Sequence, residues 1–408
     1  MKVNQTFVLT ITHNQRWAGR SVISLYLTES ILMKRAHWQY LLMIPVLVLL
    51  VAACGCSSSL FNFGPSADYP EVGSYEDDGS LATSSLAFSF QKSNISVSVT
   101  VPDGLYEAAS NADKRAVLRG EWNEDDDWIS GYYLSFITDP QMDLVYSATA
   151  DALRAEAPIT SEKTDEYLEY LTVYVQSIPY ETSPDETEPK FAVETVIETA
   201  GDCDDKSILL AGLLSRQGYN VSLLYFPADS HMAVGVAADE PGYRDSGYLF
   251  IEPTNLSLIG IPPETYENGK TLTSELFIIP VGDGTKKYGK ADETRRIDRA
   301  SAEARSRVKT DVASLEMQEN ELEQMNLALD KKNGALVRLK QSGDIRGYNT
   351  GVGNYNRRVA EYNQLFQEFR TRYDAYLTDV KFANYVATHI YDRPGLSDAV
   401  SVWERERG

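Results

Sequence analysis

Gly201-Asp202-Cys203-Asp204-Asp205-Lys206-Ser207-Ile208-Leu209-Leu210 has the pattern of a helix start followed by a buried helical face. Asp202 is a typical N-cap residue, and Asp205 follows it three residues later, as the acidic partner of a capping box does. Apolar residues recur with helical spacing as far as Gly218, a plausible helix stop. The pattern predicts a helix that begins at Cys203 and places this thiol in its first turn.

Three short strands are predicted after this helix, at Tyr219 to Phe226, His231 to Ala238 and Gly247 to Glu252, because these stretches are rich in Val, Leu, Phe and Tyr. The connection between the last two contains Pro-Gly and charged residues, which are typical of a hairpin turn. Such a hairpin would bring the start of one strand beside the end of the next. We therefore expect His231 and Glu252 to be neighbours in an α+β fold.

Cysteine and histidine are scarce in this chain, with three and four copies. Cys54 and Cys56 end an apolar segment near the N-terminus, so Cys203 and His231 are the thiol and the central imidazole of the body. A thiol with a pKa near 8.5 needs a base or a lowered pKa to act as a nucleophile. The helix start favours the thiolate, whereas the neighbouring carboxylates oppose it. A single cysteine is most often a small buried hydrophobe, but burial does not explain this acidic helix start.

Three motifs resemble the transglutaminase-like superfamily of cysteine hydrolases. They are Gly-Asp-Cys-Asp-Asp at 201–205, His-Met-Ala-Val-Gly-Val at 231–236 and Phe-Ile-Glu-Pro-Thr at 250–254, and the resemblance extends over about residues 160 to 270. It implies a papain-like core in which Cys203 is the nucleophile, His231 the base and Glu252 the orienting acid. Many members have Asp at the third position, and Glu252 is one methylene longer. The segment at 174–180 resembles the one that precedes the nucleophile in microbial members.

Gln176, within that segment, is our candidate oxyanion donor on position and side-chain chemistry. A structural amide is the competing interpretation. The resemblance implies hydrolysis of amide bonds in peptides or proteins through a thioester. Transglutaminase-type acyl transfer to an amine uses the same residues and is the first alternative. A non-catalytic binding or scaffold protein with this fold is the second. The sequence names neither the substrate nor the oligomeric state.

The N-terminal segment, residues 1 to 56, is typical of export and anchoring. Leu41 to Ala53 is an apolar run too short for an ordinary spanning helix of about 20 residues. Basic residues precede it, and small residues lead to Cys54, which resembles the lipidated cysteine of a lipoprotein signal. Met33 fits the true start better than Met1, and an uncleaved membrane anchor is the alternative. Either interpretation predicts a membrane-anchored, extracytoplasmic protein at the cell surface.

The charge balance excludes some partners. Without residues 1–53 the chain would carry 33 Lys and Arg against 58 Asp and Glu, and no basic patch stands out in the sequence. We therefore expect repulsion from nucleic acid and from anionic membranes. No cofactor or metal is expected. Calcium at the acidic runs Glu76–Asp78 and Glu124–Asp127 is a weaker alternative, because neither run has the spacing of an EF-hand loop.

The C-terminal third changes to charged, helix-forming sequence. Leu315, Leu322, Leu329 and Leu336 recur every seven residues, and an aromatic run from Val352 to Val380 steps by three and four. Glu319, Asn326 and Asn333 are expected at the alternate positions of the first seam. A break near Gly343 predicts an antiparallel coiled-coil hairpin over residues 291–390, with an aromatic core, that serves as a spacer or binds a protein partner.

The predicted domain order follows from these patterns. A flexible tether covers residues 57–84 and a small β-rich region covers 85–158, either as a separate domain or as an extension of the catalytic core. Trp128 to Thr138 is predicted as a strand and Met142 to Ala155 as a helix within this region. The catalytic domain covers 159–284, the hairpin 291–390 and a tail 391–408. Overall the sequence predicts an α+β protein with a papain-like transglutaminase core and a helical arm.

Overall fold

The computed structural model describes residues 66–120, 122, 128–159, 165–182, 188–266 and 271–407. The predicted anchor and Cys54 lie outside these residues. Within them, no helix is both long enough and apolar enough to cross a membrane.

The described chain is a mixture of strands and helices. The strands are β1 (Ser66–Asp68), β2 (Leu81–Phe90), β3 (Ser93–Pro102), β4 (Val117–Arg119), β5 (Val221–Phe226), β6 (His231–Ala237), β7 (Tyr248–Ile251) and β8 (Phe277–Val281). The helices are α1 (Asp103–Ser110), α2 (Trp128–Thr138), α3 (Met142–Glu156), α4 (Asp165–Ser177), α5 (Ala192–Glu198), α6 (Cys203–Arg216), α7 (Ala291–Gln341), α8 (Ile345–Thr388) and α9 (Arg393–Arg407). Single 3-10 turns occur at Pro227–Asp229 and Tyr243–Asp245. The α+β class is confirmed.

Helix α6 lies at the centre of the main core and packs on an antiparallel sheet of order β7-β6-β5-β8. Ten consecutive residues of α6, from Asp205 to Leu214, are buried, so this helix is enclosed on all sides. The three strands predicted after the helix are confirmed as β5, β6 and β7. In the β6–β7 pair Val234 lies opposite Ile251, which places the start of β6 near the end of β7.

The N-terminal half extends this core. Strands β2 and β3, of ten residues each, form an antiparallel hairpin. Its inward side chains lie in one hydrophobic cluster with those of α3, α4 and α6. The predicted strand at Trp128 to Thr138 is wrong, since these residues form helix α2. Their aromatic and β-branched side chains favour strands in isolation, but here they pack against α3, α6 and β8 as a helix, and tertiary contacts override such propensities. The predicted β-rich region is therefore half helical.

The predicted tether is also shorter than the sequence suggests. Residues Ser66–Asp68 pair with β4, and the buried Val72 donates its backbone N–H to Asp139 at 2.7 Å. Ser66–Asp68 and Val72 are therefore held by the folded part of the chain, whereas residues 76–81 are exposed.

Helices α7 and α8 form the expected antiparallel hairpin, turning at Ser342 to Asp344. The leucine seam is confirmed, because Leu315, Leu322, Leu329 and Leu336 are buried. The alternate positions predicted at Glu319, Asn326 and Asn333 are wrong, since all three are exposed. Residues one position earlier, such as Gln318 and Met325, are half-buried instead, which follows the three-four spacing of a coiled-coil seam.

The aromatic run of α8 is only half-buried, contrary to the expected aromatic core. Phe366 is 40% exposed and stacks on Tyr362, and Phe369 stacks on Tyr373. A two-helix hairpin offers one facing helix, so large rings on α8 have no second neighbour to enclose them.

The base of the hairpin belongs to the body of the protein. Tyr288, just before α7, is buried in the main core, and Arg393 at the start of α9 forms an ion pair with the buried Glu169 of α4 at 2.5 Å. A second cluster joins Leu258 to α7, α8 and α9 through Ile297, Phe382 and Trp403. The boundary expected near residue 284 therefore does not separate two independent cores.

Candidate active site

The start of α6 has the capping geometry that the sequence predicts. The Asp202 carboxylate accepts hydrogen bonds from the backbone N–H groups of Asp204 at 3.2 Å and Asp205 at 3.4 Å. In return, Asp205 accepts the backbone N–H of Asp202 at 3.1 Å, and it also holds the N–H of Lys190 at 2.7 Å. This network fixes the first turn of the helix, and with it the backbone of Cys203.

His231 and Glu252 meet as expected. Glu252 is 1% exposed, and its Oε2 lies 3.1 Å from Nε2 of His231. Its other oxygen, Oε1, accepts the backbone N–H of Thr254 at 3.1 Å and the Thr254 hydroxyl at 2.5 Å. The Tyr266 ring packs on the imidazole with a centroid separation of 4.6 Å. Both carboxylate oxygens are engaged, so Glu252 holds the imidazole ring in one orientation and leaves Nδ1 as its remaining nitrogen.

The Cys203 sulfur lies against the backbone on both sides of His231. Sγ is 4.0 Å from the carbonyl oxygen of Ser230 and accepts a hydrogen bond from the backbone N–H of Met232. The thiol is free and half-buried. The structure therefore brings Cys203, His231 and Glu252 into one site, which sequence spacing alone could only suggest.

The electrostatics of this site favour a neutral thiol at rest. Burial raises the pKa of Cys203 well above its ordinary value, and the carboxylates of Asp204 and Asp202 add to this, against the hydrogen bond from Met232. Burial and a hydrogen bond with Asp202 likewise raise the pKa of Asp204 well above its usual range. The helix start alone does not create a thiolate here. Any attack by Cys203 therefore requires transfer of its proton to a base.

Gln176 contacts the backbone of Glu252 but does not face the site as a free donor. Its Nε2 donates to the carbonyl oxygen of Glu252 at 2.8 Å and is within 3.3 Å of both oxygens of Ser257. These contacts engage the amide hydrogens, so the geometry gives no support to the oxyanion role suggested by the sequence. They do tie α4 to the segment that carries Glu252.

Lys206 is a site residue that the sequence reasoning missed. The side chain is 0% exposed, and its ammonium group donates to the carbonyl oxygens of Gln176 at 3.3 Å, Ile178 at 2.6 Å and Thr254 at 3.3 Å. Burial lowers the pKa of Lys206 to about 8, while Glu252 opposes the shift. One buried cation thus joins the end of α4, helix α6 and the loop after Glu252. The sequence signal that could have identified Lys206 is its position one turn after Cys203, on the inner face of α6.

The first turn of α6 also brings three potential metal donors together. Ligand atoms of Asp202, Cys203 and Asp204 lie within 4.8 Å of one another. Three successive residues of one helical turn are close for local reasons, and Asp202 already caps the helix. We assign no metal to this cluster.

The chain matches no model of a known protein family, and no curated protein sequence matches it significantly. The case for a function therefore depends on the site geometry and on the motifs themselves.

Proposed function

We propose that this chain is a surface-anchored cysteine hydrolase of the transglutaminase-like type, which cleaves amide bonds in peptides or proteins. The observation that carries the proposal is the contact of 3.1 Å between His231 and the buried Glu252, beside a free thiol at a helix N-terminus. A buried helix that presents a cysteine, packed on an antiparallel sheet that presents histidine and glutamate, supports a papain-like core. The anchored location depends on the sequence of residues 41–54 alone.

The proposed reaction begins with a neutral thiol and imidazole. As Sγ of Cys203 attacks the amide carbonyl carbon, its proton passes to Nδ1 of His231, because Nε2 is held by Glu252. The tetrahedral intermediate collapses when the carbon–nitrogen bond breaks, and His231 gives its proton to the leaving amine. The acyl group is then held as a thioester on Cys203. Water attacks this thioester with His231 as base, which releases a carboxylic acid and restores the thiol.

The tetrahedral oxyanion needs hydrogen-bond donors close to the sulfur. The backbone N–H of Cys203 donates no hydrogen bond within the described part of the chain, whereas the next two N–H groups are occupied by Asp202. The N–H of Cys203 sits at the positive end of α6, so it is the donor best suited to the developing charge. This assignment replaces Gln176 in the proposal.

Acyl transfer to an amine is the second candidate, and the carboxylate of Asp202 beside the sulfur favours it. This carboxylate would attract a protonated amine toward the thioester and could accept the proton that the amine must lose before attack. The two reactions share every step up to the thioester.

The test uses the full chain with peptides from cell-envelope proteins, with and without an added primary amine. Mass spectrometry would detect new peptide termini for hydrolysis or amine adducts for transfer, and hydroxylamine would trap the thioester as a hydroxamate. Cys203→Ala and His231→Ala should abolish all products, whereas His389→Ala, far along the chain at the hairpin base, should retain them. Products that survive Cys203→Ala would refute the proposal. A wild-type protein that binds peptides without forming any product would favour the non-catalytic alternative.

A further inference from the structure

The far end of the helical hairpin carries a charge opposite to that of the whole protein. The chain has a net charge of −21, yet residues 331 to 360 contain seven Lys and Arg against one Asp. The basic residues are Lys331, Lys332, Arg338, Lys340, Arg346, Arg357 and Arg358. They are split between the end of α7 and the start of α8, and the turn at 342–344 brings the two groups together. A helical rise of 1.5 Å per residue places all seven within about 20 Å of the turn. We call this end the hairpin tip.

The basic groups of the tip are available to a partner. Six of the seven are exposed and Lys332 is half-buried, and none forms an ion pair with an acidic side chain among the residues that the structure describes. Nearer the body, by contrast, Arg295, Arg296 and Arg307 each pair with a carboxylate. These three arginines are therefore neutralised by carboxylates, whereas none of the basic groups of the tip has such a partner among the described residues.

The tip also exposes aliphatic side chains among these cations. Ile345, the first residue of α8, is 61% exposed, and Val337 near the end of α7 is 46% exposed. Cationic groups around an exposed aliphatic residue suit an anionic lipid surface, where the cations meet headgroups and the aliphatic chain enters the acyl boundary. A nucleic acid would use the cations but would leave the aliphatic groups in water.

The acidic body does not cancel this attraction, because the hairpin is long. Residues 309 to 341 of α7 continue past the packed base of the hairpin, a distance of about 50 Å. Charges in physiological salt are screened over roughly 8 Å, so the tip and the body act as separate electrostatic surfaces.

We propose that the hairpin tip docks on a lipid surface that contains anionic headgroups, with Ile345 entering the interface. This second membrane contact is independent of the proposed catalysis and of the N-terminal segment. The attraction of the tip to anionic lipid is opposite to the repulsion from anionic membranes that the net charge of the chain predicts.

The test is flotation of the full chain with vesicles of phosphatidylcholine, alone or with about a third of phosphatidylglycerol. The triple variant Arg338→Gln, Lys340→Gln, Arg346→Gln removes three charges from the tip. The matched control Arg299→Gln, Lys309→Gln, Lys381→Gln removes three exposed charges nearer the body and changes the net charge equally. Any contribution of the N-terminal segment is common to all of these proteins and appears as binding to phosphatidylcholine alone.

We expect anionic lipid to increase binding of the wild type and the control, and high salt to remove the increase. The tip triple should bind anionic vesicles on the order of 100-fold more weakly than the wild type, at roughly fivefold per charge. Ile345→Ser should weaken binding about tenfold without changing the charge. Equal loss in both triples, or no gain from anionic lipid, would overturn the proposal. Unchanged binding by Ile345→Ser, or tip-dependent binding to duplex DNA in place of vesicles, would overturn a lipid partner.

Discussion

Glu252→Gln is the substitution that best tests the proposed role of the buried carboxylate. The position of Oε1 must accept the backbone N–H of Thr254, which donates at 3.1 Å. The glutamine oxygen will therefore occupy that position, and its NH2 group will face Nε2 of His231. An amide nitrogen donates and does not accept. Nε2 must then become the acceptor, which places the imidazole proton on Nδ1.

This exchange blocks the base. With its proton on Nδ1, the imidazole keeps its lone pair on Nε2, where it accepts from the glutamine NH2. No lone pair then faces the thiol proton of Cys203. The worked case of a serine protease triad, in which an amide replaces the buried carboxylate, shows a loss of about 10⁴ in kcat. The substitution also exchanges a hydrogen bond to a charged group, which stabilises by about 1.5–3 kcal/mol, for a neutral one of about 0.5–1.5 kcal/mol. We therefore expect a further loss of about 1–2 kcal/mol in stabilisation of the imidazolium that forms during attack.

Two measurements check this prediction. The first is the rate of iodoacetamide alkylation at Cys203 near neutral pH, which should fall by at least roughly 5- to 30-fold, because the lost imidazolium stabilisation alone accounts for that much. The second is the nitrogen NMR shift of the His231 ring, which should report the proton on Nδ1 in Glu252→Gln and on Nε2 in the wild type, with His231→Gln as the assignment control. If Glu252→Gln is alkylated at the wild-type rate and keeps the imidazole proton on Nε2, an orienting role for Glu252 is refuted.

Three further predictions concern stability. Lys206→Met should lower the free energy of unfolding by about 2–4 kcal/mol in urea titrations, because three buried carbonyl oxygens lose a charged donor, whereas the exposed Lys381→Met should change it by less than about 0.5 kcal/mol. Burial raises the pKa of Asp205 to about 6, so the folded state holds the carboxyl proton more tightly than the unfolded state does. The free energy of unfolding should therefore fall by roughly 2–3 kcal/mol as pH rises from about 4 to about 6. Asp205→Asn should flatten that part of the pH profile, and an unchanged slope would contradict Asp205 as its cause. Leu322→Asp should destabilise the distal hairpin by about 3 kcal/mol or more in circular dichroism melts, since Leu322 is 6% exposed. Phe366→Asp should cost less than half as much, because Phe366 is 40% exposed. Equal effects of the two variants would indicate that the aromatic seam is closed.

Local patterns identified the candidate site well. The capping residues Asp202 and Asp205 predicted the start of α6, and strands rich in β-branched residues predicted β5 to β7. Both depend on interactions within a few residues, which a sequence displays directly. The strand predicted at Trp128 to Thr138 failed because its residue preferences were outweighed by packing against distant elements.

Side-chain contacts between segments were beyond these patterns. Gln176 has suitable chemistry for an oxyanion donor, yet its amide is engaged by Ser257 and by the backbone of Glu252. Lys206 lies at an inner position of α6 by helical spacing, but the sequence does not show that α4 and the loop after Glu252 enclose it with three carbonyl oxygens. The half-buried aromatic run of α8 has the periodicity of a core, but burial depends on how many helices face it.

The sequence by itself determined the thiol at a helix start, the imidazole on a strand, the carboxylate at the next strand end and the heptad of the hairpin, because capping, alternation and periodicity are local properties. Tertiary structure decided what these elements contact. It joined Glu252 to His231, buried Lys206 among three carbonyl oxygens, and merged the base of the hairpin with the body through Arg393. It also gathered two basic stretches into one tip on an acidic protein. Net charge sums over the whole chain, whereas electrostatic attraction in salt acts over about one Debye length, so only the folded hairpin reveals the charge that a partner meets.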